Sequence, residues 1–168
     1  MPTGDRLYES TNTVGTNTKY VKGTSAVSTT YEGLCKALAV LWCEKMVNGK
    51  RDILTKPNEF RAGALQFKFE INWDSNIIFG LAGLKSTDST TRKPKKCLHY
   101  ISHRPGTYQI RVPGHAIAVH AIGNIFYFYD SESGLWRYES RAQWMKNILD
   151  EYDDGKDWTI WKLESKLT

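Results

Sequence analysis

The fold is decided by residues 113–130, whose sequence PGHAIAVHAIGNIFYFYD predicts a β-hairpin. Two apolar runs of strand-like pattern flank Gly123-Asn124, and a two-residue turn of this composition joins neighbouring antiparallel strands. If Ile122 pairs with Ile125 across the turn, the remaining pairs of the hairpin follow from that register. The segment therefore predicts two adjacent strands of an antiparallel sheet.

The register of the hairpin brings two polar side chains to one face of the sheet. Ile117 lies opposite Asp130, so His115 shares the face of Asp130 and lies one diagonal step away. Diagonal neighbours are about 7 to 8 Å apart at the backbone, and an imidazole and a carboxylate can close that gap with a hydrogen bond. His120 falls on the opposite face, across from Tyr127. We therefore expect Asp130 to orient His115 and not His120.

The segments around the hairpin predict an early helix and a late sheet. Apolar residues at helical spacing predict a helix from about Gly33 to Asn48, which Thr29 or Thr30 would cap and Asn48-Gly49 would end. Residues 64–71 alternate like a half-buried strand, although a helix also fits, and residues 85–96 are typical of a polar loop. Strands are predicted at 108–112, 115–122, 125–130, 135–138 and 158–162, and a second helix at 140–152. This order predicts an α+β fold.

Length and composition indicate one folded domain. The chain has 168 residues, and residues 1–30, rich in Thr, Ser, Gly and Asn, predict a flexible lead-in or linker before a domain over residues 31–168. The net charge of +5 is mild, and the basic run at 92–96 indicates a solvated loop and not a lipid- or nucleic-acid-binding patch. No signal-peptide core or membrane-length apolar run is present in the sequence.

The three cysteines are expected to be reduced thiols. Cys35 and Cys43 are eight residues apart, about 12 Å along a helix, which is too far for a disulfide. None of the three lies in a spacing typical of zinc. His99 and His103 are spaced for one helix face and could ligate a metal there, but the sequence offers no third ligand.

Cys35 has the placement of a nucleophile. It lies in the first turn of the predicted helix, where free N–H groups and the positive end of the helix dipole favour a thiolate. A cysteine at a helix start is also compatible with a small buried apolar residue, and a lone histidine at a strand start with a surface position. Cys35, His115 and Asp130 together nevertheless match the nucleophile, base and orienting acid of acyl transfer. His120, on the other face of the hairpin, would not face Cys35.

Three segments resemble the YopT and AvrPphB family of bacterial effector cysteine proteases, a papain-like group that secretion systems deliver into host cells. They are residues 33–38 (GLCKAL) with Trp42 one turn further on, residues 114–118 (GHAIA) and residues 128–136 (FYDSESGLW). The last is similar to the family's Asp-Pro-Asn-x-Gly-aromatic signature, with Ser131-Glu132 in place of Pro-Asn. The order of Cys, His and Asp is also that of the family.

The resemblance implies a papain-like fold, with an N-terminal nucleophile helix packed on a C-terminal antiparallel sheet. It implies that Cys35 is the nucleophile, His115 the general base and acid, and Asp130 the residue that orients His115. It further implies no metal or organic cofactor, and a secreted virulence protein that acts in the target-cell cytoplasm on a protein such as a small GTPase or a kinase. Membrane contact, and a chaperone or immunity protein as a further partner, stay open.

One departure from the family concerns the oxyanion hole. Papain-like enzymes usually carry Gln or Asn a few residues before the cysteine as a second donor, whereas residues 28–32 read STTYE. A Thr hydroxyl of this segment or Asn17 are the substitutes that the sequence offers. A missing donor costs about 3 kcal/mol of transition-state stabilisation.

Three other functions stay open at the level of sequence. The same triad can attack a Gln or Asn side-chain amide, which would make the protein a deamidase or transglutaminase. A small Cys/His hydrolase of this length can also be a peptidoglycan amidase toxin. Finally, Cys35 and His115 could be incidental residues of a non-catalytic binding module.

Overall fold

A seven-stranded antiparallel sheet, covered by helices on both faces, forms the centre of the computed structural model. The structure describes residues 5–8, 35–50, 56–70, 74–131 and 134–167, without the side chains of 5–8, 56–61 and 70. The described elements are, in chain order, β1 (Asp5–Tyr8), α1 (Cys35–Val47), α2 (Lys56–Glu70), α3 (Ser75–Leu81), β2 (Leu84–Arg92), α4 (Pro94–His103), β3 (Gly106–Val112), β4 (His115–Ile122), β5 (Ile125–Asp130), β6 (Gly134–Tyr138), α5 (Arg141–Tyr152) and β7 (Trp158–Ser165). The strand order is β1-β6-β5-β4-β3-β7-β2. The predicted α+β class is confirmed.

The predicted hairpin forms β4 and β5 in the expected register. Ile122 pairs with Ile125, and His120 pairs with Tyr127. Gly123 has a φ of 56° in the turn, a left-handed conformation that glycine adopts without a side-chain clash. The two apolar runs therefore form adjacent strands because the turn residues between them permit a tight reversal.

A second turn sets where β4 begins. Pro113-Gly114 links β3 to β4, with Val112 paired to His115 directly across it. Gly114 has a φ of 72°, and proline followed by a glycine at positive φ is the preferred sequence of a type II turn. The turn therefore makes His115 the first residue of β4, in the last residue pair between β3 and β4.

The side chains of β4 alternate between two apolar cores. Ala116 and Ala118 pack against α1, α2 and α3 on one face of the sheet. Ile117 and Val119 pack against α4 and α5 on the other face. The helix that begins at Cys35 is thus on the face opposite to that of His115, and the two residues meet only because each stands at the end of its element.

Helix α1 is buried almost all round, as its apolar composition predicts. Nearly all of its side chains from Cys35 to Met46 are withdrawn from solvent. Trp42 stacks on Tyr129 of β5, with ring centroids 5.5 Å apart and an interplanar angle of 3°. The helix ends where predicted, since Gly49 has a φ of 77°. The proposed caps, Thr29 and Thr30, lie outside the described residues.

The strand prediction for residues 64–71 was wrong. The described part of this segment belongs to α2, which continues to Glu70. The buried side chains Ala62, Leu65 and Phe69 follow a spacing of three and four residues, whereas Phe67 is 41% exposed. The short alternation of apolar residues was therefore one face of a helix with a single exposed aromatic residue.

The loop prediction for residues 85–96 was also wrong. Residues 84–92 form β2, whose side chains alternate between inward and outward positions along the ladder with β7. Pro94 then begins α4, where a missing N–H costs nothing. The segment is polar because β2 lies at the edge of the sheet in the strand order, where outward side chains meet water.

The lead-in predicted for residues 1–30 stays a prediction. Within it, Asp5–Tyr8 form β1, which pairs with β6. The other residues of the range lie outside the described residues. In the part of the chain that the structure describes, no helix has both the length and the apolar character that a bilayer crossing needs.

Candidate active site

A histidine and a carboxylate meet at one end of the central hairpin. His115 Nε2 lies 2.9 Å from Asp130 Oδ1. The side chains are 14% and 5% exposed, so their interaction is shielded from water. Because β4 begins at His115 and β5 ends at Asp130, the hairpin register places them on one face. Nε2–H donates to the carboxylate, which leaves Nδ1 as the ring nitrogen that can accept a proton.

Cys35 approaches this pair from the first residue of α1. Its side chain is only 3% exposed. The Cys35 thiol forms a hydrogen bond with His115. The first turn of α1 contains no acidic residue. The structure thus brings together the three residues that the sequence singled out: a thiol, an imidazole and a carboxylate in a row.

The environment of His115 favours the imidazolium. Burial lowers the pKa of His115, but hydrogen bonds to Asp130 and Cys35 and the negative charges of both outweigh burial and raise the pKa to about 10. At neutral pH the ring is therefore protonated. A cation beside a cysteine favours the thiolate, which is the form that acts as a nucleophile.

Tyr152 belongs to the site, and sequence reasoning missed it. Its hydroxyl donates a hydrogen bond to Asp130 Oδ2. Its ring stacks on His115, with centroids 5.9 Å apart and an interplanar angle of 24°. Tyr152 is the last residue of α5 and follows Trp144 and Ile148 at intervals of four residues, so it extends the buried face of that helix. This spacing was the available signal in the sequence.

Gln66 fixes the first turn of α1 from a neighbouring helix. Its Oε1 accepts a hydrogen bond of 3.1 Å from the backbone N–H of Ala37, two residues after Cys35. The Gln66 side chain is 1% exposed, so it is part of the packed interior. A side-chain acceptor at a helix start satisfies an N–H that has no intrahelical partner. The contact spans 29 residues and had no local signal in the sequence.

His120 is not part of this site. It shares the sheet face of α1, but it lies near the other end of that helix, in a cavity of about 380 Å³ that Val47 also lines. Its Nδ1 is 2.8 Å from Thr107 Oγ1. The choice of His115 over His120 as the partner of Asp130 therefore agrees with the geometry. The reason expected for the separation of His120 from Cys35 was wrong, because His120 lies on the face that α1 covers and is apart from Cys35 only by its place near the other end of the helix.

The other cysteines and histidines form no comparable site. Cys43 and Cys97 are buried and unpaired with another cysteine, and burial raises the pKa of both thiols, that of Cys97 to about 11. His99 and His103 share α4, but His103 Nδ1 lies 2.8 Å from the His99 carbonyl. Among the described residues, no group of three His, Cys, Asp or Glu side chains is arranged to hold a metal ion. The Thr and Asn candidates for the oxyanion hole lie outside those residues.

Comparison with solved structures shows which fold this is. The chain is similar to the Pseudomonas avirulence protein AvrPphB, with a TM-score of 0.54 and 16% sequence identity over 78% of this chain and 91% of that one. It is also similar to PatoxP, a cysteine protease-like domain of the Photorhabdus asymbiotica toxin PaTox, with a TM-score of 0.46 and 12% identity over 95% of this chain and 53% of that one. No family model and no curated protein sequence matches the chain. The papain-like α+β fold expected from the sequence is confirmed by the similarity to AvrPphB.

Proposed function

We propose that this domain, which has the papain-like fold of AvrPphB, is a cysteine hydrolase that cleaves a peptide bond in a protein of a target cell. The observation that carries the proposal is the 2.9 Å contact between His115 Nε2 and Asp130 Oδ1, with the Cys35 thiol hydrogen-bonded to the same ring. Fold similarity supports the class of protein, and the side-chain geometry supports the chemistry.

The three residues would divide the reaction between them. The Cys35 thiolate attacks the carbonyl carbon and forms a C–S bond, and the C–N bond breaks as the leaving amine takes a proton from His115. Water then attacks the thioester while His115 accepts one of its protons, which releases the acid and regenerates the thiolate. Asp130 keeps Nε2–H engaged, so that Nδ1 is directed at the sulfur throughout.

The start of α1 would stabilise the oxyanion. In papain-like chemistry the backbone N–H of the nucleophile donates to the developing negative charge, and the N-terminal end of a helix adds a favourable dipole. Cys35 is the first residue of α1, so its N–H has no intrahelical acceptor. Gln66 occupies the Ala37 N–H and leaves that of Cys35 outside this cap.

The biological setting follows from the same similarity. AvrPphB is an avirulence protein of Pseudomonas. We extend that setting to this chain as a bacterial effector or toxin, secreted and active in the cytoplasm of the target cell, with a small GTPase or a kinase as its protein substrate.

A comparison of the purified protein with its Cys35→Ala variant tests the function. Each is incubated with a target-cell lysate, and new protein N-termini are mapped by mass spectrometry. We expect new termini that require Cys35, and their loss in His115→Ala as well. A mass gain of about one unit at Gln or Asn without new termini would contradict peptide-bond cleavage and indicate deamidation.

Thiol reactivity provides an independent test of the nucleophile. Iodoacetamide at neutral pH is expected to label Cys35 faster than Cys97, because burial raises the pKa of the Cys97 thiol to about 11. Labelling is expected to slow in His115→Ala. Equal labelling of the two cysteines, together with no Cys35-dependent change in the lysate, would instead indicate a binding module.

A further inference from the structure

The contacts of β3 with α1 indicate that Arg111 lies toward the N-terminal end of that helix. The two elements run past each other on one face of the sheet. Near the start of β3, Thr107 lines a cavity with Val47, the last residue of α1. Further along, Gln109 Nε2 donates a hydrogen bond of 3.1 Å to the carbonyl of Lys36. Arg111 follows two residues later on the same face, so β3 carries it past Lys36 toward the start of the helix.

The Arg111 side chain is held in place by three contacts. Its guanidinium carbon lies 4.8 Å from the ring centroid of Phe69 and 4.6 Å from that of Trp161. Its Nη2 donates a hydrogen bond of 3.0 Å to Ser75 Oγ. Burial lowers the pKa of Arg111 to about 10, while the negative charge of Cys35 acts in the opposite direction. The guanidinium is thus positioned, half withdrawn from water and electrostatically coupled to Cys35.

The charge of Arg111 has no carboxylate partner among the described residues. Its Nε is buried and has no hydrogen-bond acceptor there. Cation–π contacts use the charge of a guanidinium without occupying its N–H donors. A buried cation and a buried donor are both costly unless an anion satisfies them. The arrangement therefore leaves a positive charge that acts on Cys35 and has no carboxylate beside it among the described residues.

We propose that Arg111 forms an anion-binding subsite beside Cys35, which receives a carboxylate of the substrate, an Asp or Glu side chain close to the cleaved bond. A guanidinium suits this ligand because its planar donors match the two oxygens of a carboxylate. The proposal rests on the proposed function, since it takes Cys35 as the nucleophile.

Two alkylating reagents of nearly the same shape test the subsite. In both reagents the Cys35 sulfur displaces iodide. Iodoacetate carries a carboxylate where iodoacetamide carries a neutral amide. Because both react with the same thiolate, the ratio of their rate constants reports the local preference for an anion and is independent of the thiolate fraction. We expect this ratio to be about ten-fold higher at Cys35 than in free cysteine, equivalent to about 1.4 kcal/mol.

Three variants assign the preference to one residue. Arg111→Met is expected to lower the iodoacetate to iodoacetamide ratio to about that of free cysteine, and Arg111→Lys, which keeps the charge, to retain part of it. Arg104→Met is the matched control, because Arg104 also contacts an aromatic ring, Tyr100, at 4.2 Å, but is exposed at the end of α4. Its ratio should equal that of the wild type.

The outcomes separate the subsite from the proposed function. A wild-type ratio no higher than that of free cysteine overturns the subsite, and this result does not depend on whether Arg111→Met folds. A folded Arg111→Met variant with an unchanged ratio also overturns it. Slow reaction of Cys35 with iodoacetamide itself counts against the nucleophile and not against Arg111. A peptide library that pairs each Asp or Glu peptide with its Asn or Gln counterpart measures the preference of the enzyme for acidic residues. The wild type is expected to prefer the acidic peptides, and Arg111→Met is expected to lose this preference.

Discussion

Replacement of Asp130 by Asn should make His115 deprotonate at a much lower pH. The change keeps the size of the side chain and an acceptor oxygen for Nε2–H, but it removes the negative charge. Burial by itself lowers the pKa of His115, and four interactions oppose it: hydrogen bonds to Asp130 and Cys35, and the charges of the same two groups. Asp130→Asn removes the charge of one partner and weakens its hydrogen bond.

The size of the effect follows from those contributions. The pKa of His115 is about 10, and Asp130 supplies two of the four favourable interactions, including the strongest. We expect the pKa in Asp130→Asn to fall to about 8 or below, a loss of about 3 kcal/mol in stabilisation of the imidazolium. Because the folded pKa is raised, this stabilisation is complete below about pH 6.5 and is lost as the pH rises toward 10. The variant should therefore be least stable, relative to the wild type, near pH 6.5.

The assay is a histidine titration by NMR from pH 6 to 11, with the His115 signal identified by its absence in His115→Gln. Urea unfolding at pH 6.5 and pH 9.5 measures the accompanying change in the free energy of unfolding. Asp150→Asn is the control, because Asp150 is paired with Lys146 on the surface of α5. A midpoint in Asp130→Asn within about half a pH unit of the wild type would refute the electrostatic account of the site.

Three further results are expected. Tyr152→Phe removes a hydrogen bond to a buried carboxylate and should lower the free energy of unfolding, measured in urea, by about 1.5 to 3 kcal/mol. The control Tyr138→Phe should lower it less, because the Tyr138 hydroxyl accepts a hydrogen bond from the uncharged amide of Asn147. Equal losses in the two variants would count against a strong bond between Tyr152 and Asp130. Gln66→Leu removes the acceptor at the first turn of α1 and should lower the free energy of unfolding by about 1 kcal/mol. An unchanged urea midpoint would contradict a stabilising role of Gln66 at the start of this helix. Cys43, whose thiol pKa burial raises, should stay unmodified by iodoacetamide in the native protein while Cys35 reacts, and peptide mapping that finds both modified alike would disprove this.

The centre of the fold could be predicted from sequence because its signals are local. Alternation along β4 and β5 and the Gly123-Asn124 turn specify both strands and their register, and the register specifies which face His115 occupies. The stop of α1 at Gly49 is equally local, since it depends on one residue's conformation. These features need no knowledge of the rest of the chain.

The errors arose where tertiary position decides the outcome. Residues 84–92 have a polar composition that fits a loop, and only the ladder with β7 makes them a strand. The alternation of apolar residues covers only five positions, from Leu65 to Phe69, and fits a strand as well as a helix. Ala62 is buried with Leu65 and Phe69 at helical spacing, and this burial is known only from the structure. Propensity over so short a segment cannot outweigh the packing that the whole sheet imposes.

Supporting residues of the site could not be predicted for a related reason. Tyr152 reaches Asp130 across 22 residues and Gln66 reaches Ala37 across 29, so neither contact leaves a motif in the sequence. Cys35, His115 and Asp130 could be singled out because each stands at or near the end of a predicted element. The residues that hold them lie in the middle or at the far end of other elements, and only the packing of α2 and α5 on the two faces of the sheet brings them in.

The charges of the site indicate at which stage a substrate carboxylate would matter. Burial lowers the pKa of both His115 and Arg111, and the negative charge of Cys35 opposes the effect of burial at both residues. In the proposed reaction, the thioester leaves Cys35 without a negative charge, so only a carboxylate of the substrate could then oppose the charge of Arg111. A carboxylate held by Arg111 would then be bound more tightly as the acyl-enzyme forms than in the first encounter. Binding energy that appears only along the reaction raises the rate and not the affinity, so an acidic side chain near the cleaved bond should raise kcat more than it lowers KM.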